Sequence, residues 1–145
     1  MLSKKAVYAV RALTILAEVA PRPMTTGEIA DAGSLPRKFL EAILLDLKKA
    51  GVTDSVRGRE GGYRLARSPE TVTVAEIIRA IDGPLALMPC ASVTRYAPCA
   101  DCRDPEACRT RKVFARGRDA LASVLEGSTL ADLAGPSSTP LAEAG

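Results

Sequence analysis

Between Pro36 and Gly51 runs the most strongly patterned stretch of the chain, with Phe39, Leu40, Ile43, Leu44 and Leu47 recurring at helical spacing. Proline fits the first turn of a helix and glycine commonly ends one. The spacing therefore predicts a helix from Pro36 to Ala50 with those side chains on its core face. The next residues narrow the fold further. Val52–Arg57 and Gly62–Ala66 read as short β-like segments joined by Gly58-Arg59-Glu60-Gly61, a hairpin whose glycines supply permissive backbone.

The other elements are read the same way. Aromatic residues are scarce among the 145 (two Phe, three Tyr, no Trp), so the core must be built from Leu, Ile, Val and Ala, which favours helices. Ser3 can cap a helix reaching about Val19, stopped by Pro21 and Pro23. Its apolar positions (Ala6, Val7, Val10, Leu13, Leu16, Ala17) cover most of the circumference, so it is expected to be largely buried. Thr26 is expected to cap a short helix over Gly27–Ala32, with Ile29 and Ala30 inward and Gly33 ending it. Thr73–Asp82 reads as a fourth helix, ended by Gly83-Pro84.

Residues from roughly 85 to 109 contain Pro89, Pro98 and Pro105 without periodicity and are expected to form a loop. A long helix returns from about Thr110 to Glu126, with Val113, Phe114, Gly117, Ala120, Leu121, Val124 and Leu125 on one stripe. Such a stripe can pack in the core or against a partner helix. Thr129–Ala134 adds a helical turn, and the tail from Gly135 has the composition of a disordered segment.

Three helices followed by a glycine-turned hairpin is the layout of a winged helix-turn-helix, in which the third helix enters the DNA major groove by its N-terminal turn. Pro36, Arg37, Lys38 and Glu41 occupy that turn, and Thr25 and Thr26 precede it where they can reach phosphates. Arg37 and Lys38 can donate to guanine edges or phosphates, while Glu41 can accept from cytosine N4. Arg57, Arg59 and Arg64 are expected around the hairpin tip, suited to a narrow minor groove or the flanking backbone. Charge agrees with this division. Residues 1–67 hold twelve Lys/Arg against seven Asp/Glu, and residues 68–145 hold eight against ten. A basic first half is what phosphate binding needs.

Other classes fit poorly. Without histidine, a nucleotide-binding glycine loop or a suggestive pair of acids, nothing beyond the thiols supports catalysis, and no enzyme is expected. Lys4 and Lys5 precede an apolar stretch, but its uncharged run from Ala12 to Ala17 is too short for a signal core or a membrane span. A cytoplasmic protein with no membrane partner is expected, and stable disulfides are uncommon there.

All four cysteines lie between Cys90 and Cys108, in the order Cys90, eight residues, Cys99, two, Cys102, five, Cys108. Thiols crowded in this way pair as disulfides, switch by oxidation, or share a metal or an iron–sulfur cluster. Four thiolates suit either [2Fe–2S] or [4Fe–4S]. Structural zinc more often uses two Cys-x-x-Cys knuckles or adds histidine, and here only Cys99 and Cys102 are so spaced. Arg95, Arg103, Arg109 and Arg111 favour thiolates over thiols.

Several motifs carry a family resemblance. Phe39-Leu40-Glu41, Leu47-Lys48-Lys49-Ala50-Gly51-Val52, Ser55-Val56-Arg57-Gly58 and Gly61-Gly62-Tyr63 resemble the IscR/NsrR/CymR family of bacterial regulators. So do Lys5-Ala6-Val7-Tyr8-Ala9-Val10, Val74-Ala75-Glu76-Ile77-Ile78 and Ile81-Asp82-Gly83, which extend the likeness over about residues 1–133. The wing, Arg57-Gly-x-x-Gly-Gly-Tyr63, is its most specific part. The resemblance implies a mainly α fold with a small β-hairpin wing: a winged helix-turn-helix over 1–83, a cysteine-rich loop over 84–109, a dimerisation helix over 110–134 and a tail over 135–145. It implies a homodimeric regulator, expected to be a repressor, that binds a double-stranded DNA operator.

The same resemblance implies that many members carry an iron–sulfur cluster in the loop before the long helix. Such members typically supply three cysteines and a fourth, variable ligand. A histidine ligand is excluded here, and near the N-terminus Tyr8 stands where some members place an acid. The Cys102–Cys108 interval matches a common family interval, which leaves Cys99 as the additional thiol. Either Cys99 completes an all-cysteine site with Cys90, Cys102 and Cys108, or Asp101, Asp104 or a partner-subunit group is the fourth ligand. The alternative is a cluster-free winged-helix regulator that senses thiol oxidation or a small ligand, or holds structural zinc.

Overall fold

The computed structural model describes residues 1–135, so all but the first residue of the expected tail lies outside the described residues. The chain forms α1 (Lys4–Val19), α2 (Thr26–Gly33), α3 (Arg37–Lys49), β1 (Thr53–Val56), β2 (Gly62–Leu65), α4 (Val74–Ile81), α5 (Arg109–Glu126) and α6 (Leu130–Ala134). Short 3-10 turns lie at Pro69–Thr71 and Pro89–Ala91.

Ser3 caps α1 as expected, its hydroxyl accepting from the Ala6 N–H at 3.0 Å. Its own N–H donates to Asp82 Oδ2 at 2.8 Å, which ties the start of α1 to the end of α4. Ala6, Ala9, Ala12, Leu13 and Leu16 of α1 are fully buried. Tyr8, Val10, Ile15, Ala17 and Val19 pack half-buried around them against the same core, with α2, α3, α4 and α6 all touching the helix. α1 is therefore largely buried as expected, and only Val7 of its expected apolar positions is exposed.

The cap of α2 is Thr25, not Thr26. Its hydroxyl accepts from the Glu28 N–H and the Glu28 carboxylate accepts from the Thr25 N–H, a capping box that Thr26, with Ile29 three residues on, cannot form. Ser34 takes the left-handed position after this helix, with φ +50°. Gly33 serves packing instead, since a Cβ there would lie 2.9 Å from Ile15 Cδ1.

Pro36 stands just before α3 and its carbonyl accepts the Phe39 and Leu40 N–H groups, both at 3.1 Å. Leu40, Ile43, Leu44 and Leu47 are fully buried, whereas Phe39 is 65% exposed. Phe39 sits about 100° around the helix from Leu40, on a flank that no element covers, so its expected place in the core is corrected.

Strands β1 and β2 pair antiparallel, with Thr53 opposite Leu65 and Val56 opposite Gly62. Met24 extends this ladder by exchanging two hydrogen bonds with Tyr63, at 2.9 and 2.8 Å. A Cβ on Gly62, which has φ +141°, would fall 2.2 Å from the Met24 carbonyl oxygen. That close approach pins the wing to the entry of α2.

After α5 the chain turns back. Thr73 bridges Thr129, the Val74 N–H donates to Ser128 O and the Leu130 N–H to Val72 O, each at 2.9 Å. Leu130 thereby enters the same core as Leu13, Leu44 and Ile77, with α6 against α1. α5 itself has no buried residue. Among the described residues no helix is long and apolar enough to cross a membrane.

Candidate DNA interface and cysteine loop

The N-terminal turn of α3 and the wing tip are both exposed and basic. Pro36, Arg37, Lys38 and Glu41 are all exposed. Arg37 lies across Gly27 in the first turn of α2, where a Cβ would meet its guanidinium at 3.4 Å. Thr25 keeps its hydroxyl on the α2 cap, and the Thr25 N–H on the Glu28 carboxylate holds that carboxyl below its ordinary range. Thr26 is half-buried in the first turn.

Arg57 and Arg59 flank the tip of the wing and line an open cleft together with Thr25 and Arg22. Sequence reasoning missed Arg22; its signal was a cation between Pro21 and Pro23, held rigidly beside Thr25. Among the described residues none of Arg22, Arg37, Lys38, Arg57 and Arg59 enters an ion pair. Arg64 differs. It lies in β2 opposite Asp54, paired with that carboxylate at 3.7 Å, so its expected position at the tip is corrected by the strand register.

The second site is the loop before α5. Cys90 sits in the Pro89–Ala91 turn and is 3% exposed, while Cys99 is exposed, and their sulfurs lie 3.6 Å apart. That sulfur contact is the main cause that raises the Cys99 thiol, with like charge from Cys90 next. The Cys102 N–H donates to Cys99 O at 3.1 Å, closing the turn between the two. Cys108 caps α5, its sulfur accepting from the Arg111 N–H at 3.4 Å.

Arg111 holds the loop from several sides. Its Nε donates to Cys90 O at 3.0 Å, its Nη1 reaches Pro105 O at 3.3 Å and Glu106 at 3.1 Å, and its guanidinium lies 5.9 Å from the Tyr96 ring centroid. Further along α5, Arg118 donates to Ala91 O. Two arginines of one helix thus hold the carbonyls of consecutive loop residues.

Sulfur geometry bears on what the loop can ligate. Two thiolates on one tetrahedral metal at ~2.3 Å stand about 3.8 Å apart. The Cys90–Cys99 spacing fits that figure, and thiolates suit iron. Among the described residues, however, no three Cys, Asp or Glu side chains are gathered into a metal-holding group. Asp104 is engaged elsewhere: its Oδ1 accepts from the Glu106 and Ala107 N–H groups at 2.9 and 3.1 Å, shaping the turn that delivers Cys108.

Comparison with known proteins agrees with this architecture. An HTH-type transcriptional regulator of Rhodobacter capsulatus described as rrf2-like is 47% identical over 137 residues, covering 92% of this chain and 91% of that protein. The HTH-type transcriptional regulator CymR of Bacillus subtilis is 34% identical over 126 residues, covering 84% and 83%. Among solved structures, CymR, described as the global cysteine regulator of B. subtilis, superposes with a TM-score of 0.75 at 31% identity, covering 92% of this chain and 95% of that one. T. potens IscR gives 0.68 at 30% identity, covering 92% and 85%. The Rrf2 family model, described as an iron-dependent transcriptional regulator, matches residues 2–136. With its winged helix, exposed basic tip and these relatives, the chain belongs to the Rrf2 family of transcriptional regulators.

Proposed function

We propose that this regulator is a cytoplasmic homodimer, a repressor whose affinity for a double-stranded operator is set by an iron–sulfur cluster on Cys90, Cys99, Cys102 and Cys108. The observation that carries the proposal is the double attachment of the loop to α5. Arg111 and Arg118 hold the Cys90 and Ala91 carbonyls, and Cys108 caps the same helix. Any change in what the thiols bind is therefore transmitted to α5.

The apolar stripe of α5 is the dimer face in this reading, so α5 also sets the distance between two recognition helices. Adjacent major grooves lie about 34–36 Å apart, and a shifted spacing loses one half-site. The cluster supplies a centre that oxidation, nitric oxide or iron shortage removes. The chain's part is to supply thiolates, with Cys90 and Cys99 already within the spacing of two ligands on one iron, and to hold the loop on α5. On the DNA side, Arg37, Lys38 and Glu41 face the major groove, while Arg22, Arg57, Arg59, Thr25 and Thr26 meet the flanking backbone. Arg64, paired with Asp54, contributes least.

Iron and sulfide quantification on anaerobically purified protein, with its absorbance spectrum, tests the cofactor. Iron-free, colourless protein would reject the cluster, and Cys99→Ser protein that keeps full iron would reject Cys99 as a ligand. Equal operator affinity of apo and holo protein would reject the switch. Arg59→Ala should weaken binding to all sequences alike and lower the salt slope by about 1. A second reading, a cluster-free regulator working through thiols or zinc, draws on the absence of a gathered ligand set among the described residues. Stoichiometric zinc or metal-free protein with intact operator binding would favour it.

A further inference from the structure

We propose that Cys90 and Cys99 are a disulfide-forming pair, a modification site that operates on the metal-free loop and withdraws both thiols from any later ligation. This pairing needs only the geometry of the metal-free loop and does not depend on the cluster reading.

Four thiols allow six pairings, and the fold favours one. The Cys90 and Cys99 sulfurs are already in contact at 3.6 Å, although eight residues separate them in the chain. A disulfide requires ~2.05 Å between sulfurs, so about 1.5 Å of closure suffices. Cys99 is exposed in a loop and can supply that movement, while Cys90 is buried in the turn and fixed through its carbonyl by Arg111. Cys108 is near enough for its charge to act on Cys99, but its sulfur faces the first turn of α5 and the sulfur contact is made by Cys90. Cys99 and Cys102 are the nearest in sequence, but their turn is closed through the backbone, from the Cys102 N–H to Cys99 O.

Access assigns the order of events: the oxidant reaches exposed Cys99 and not buried Cys90, and reacts with the thiolate fraction of Cys99 that the Cys90 contact keeps small. The oxidant is a hydroperoxide. The Cys99 sulfur attacks its outer oxygen, the O–O bond breaks, and Cys99 becomes a sulfenic acid as the other oxygen leaves protonated. The Cys90 sulfur then attacks the Cys99 sulfur, an S–S bond forms, and hydroxide departs, taking the Cys90 proton as water. Two thiols lose two electrons and two protons, and one hydroperoxide is reduced. A dithiol reductant reverses the step by thiol–disulfide exchange. Oxidised protein therefore cannot be reloaded with metal through Cys90 and Cys99 until it is reduced.

The test uses the full chain, stripped of metal anaerobically and confirmed iron- and zinc-free, with one equivalent of hydrogen peroxide. Trypsin separates the cysteines: Cys90 falls in 80–95, Cys99 and Cys102 in 96–103, and Cys108 in 104–109. Free thiols should fall from four to two per chain. Peptide 80–95 should be joined to 96–103, with the protein still running as a monomer on a non-reducing denaturing gel. The Cys102→Ser variant should keep the join and the Cys99→Ser variant should lose it. A link from 96–103 to 104–109, a closed Cys99–Cys102 peptide, a cross-chain dimer, or over-oxidised thiols without any link would each overturn the proposal. Failure of the cluster reading shows separately, as missing iron in the untreated protein.

Discussion

Helices α3 and α5 both carry an apolar stripe, yet their surroundings are opposite. α3 places Leu40, Ile43, Leu44 and Leu47 at full burial against α1, α2 and α4. α5 is longer, at 18 residues against 13, and has no fully buried residue: Val113 is 65% exposed and Val124 51%. A half-buried edge with Phe114, Ala115, Ala122 and Leu125 faces its own chain, and polar contacts add to it. Arg79 pairs with Glu126 at 2.5 Å, and Arg111 and Arg118 grip loop carbonyls. An apolar stripe thus states that a helix wants a partner, while the fold decides whether the partner lies within the chain. In α3 the partner is internal; in α5 the proposed one is a second copy.

The contrast is sharpest in stability. Leu44→Ala should destabilise the fold by roughly 2–5 kcal/mol, because it leaves a cavity among fully buried neighbours. Val113→Ala, mostly solvated already, should change monomer stability by less than about 0.5 kcal/mol. Chemical denaturation at low protein concentration measures both, and equal losses would erase the distinction drawn between the helices.

Association comes next in size. Val113→Glu with Val124→Glu should convert dimer to monomer in sedimentation, leaving the helical circular dichroism unchanged. Loss of helicity instead would mean that α5 is packed within its own chain. Arg111→Met should act more locally, freeing Cys90 O, Pro105 O and the Tyr96 ring together. Limited trypsin should then cut at Arg95 and Arg103 several times faster while the winged domain resists. Unchanged cutting would remove Arg111 from its place as the loop's anchor.

The smallest effect is in the caps. Glu28 and Asp132 are both held below their ordinary range, chiefly by the backbone N–H groups of Thr25 and Thr129. A carboxyl lowered in the folded state adds stability above its unfolded value, and that contribution is lost as pH falls through the folded one. Stability should therefore decline below about pH 4.5 for Glu28 and pH 3.8 for Asp132, their unfolded values. Glu28→Gln should flatten the upper part of that decline in thermal melts, and an unchanged profile would show that the box does not hold the charge.

Local signals were legible because they act over a few residues. Ser3, Thr73 and Thr129 cap their helices through hydrogen bonds spanning three positions, and proline and glycine mark where α3 begins and ends. Thr25 is legible too, since Glu28 stands three residues on, a partner that Thr26 lacks. The winged architecture followed from element order. Phe39 was misplaced because five apolar residues span more arc than a neighbour covers. Arg64 was misplaced because strand register, not distance along the chain from the turn, fixes where a side chain stands.

Residue order alone sets the helices, the glycine-turned wing, the basic first half and the confinement of every thiol to one loop. These depend on backbone preference, periodicity and composition, all properties of neighbouring residues. Packing of the whole chain brings Leu130 back to the core, Arg22 beside Arg57 and Arg59, and Cys90 against Cys99. Those contacts join residues far apart in the chain, or turned toward each other by a loop without periodicity. Their free energy depends on how separate elements pack, and no local pattern encodes it.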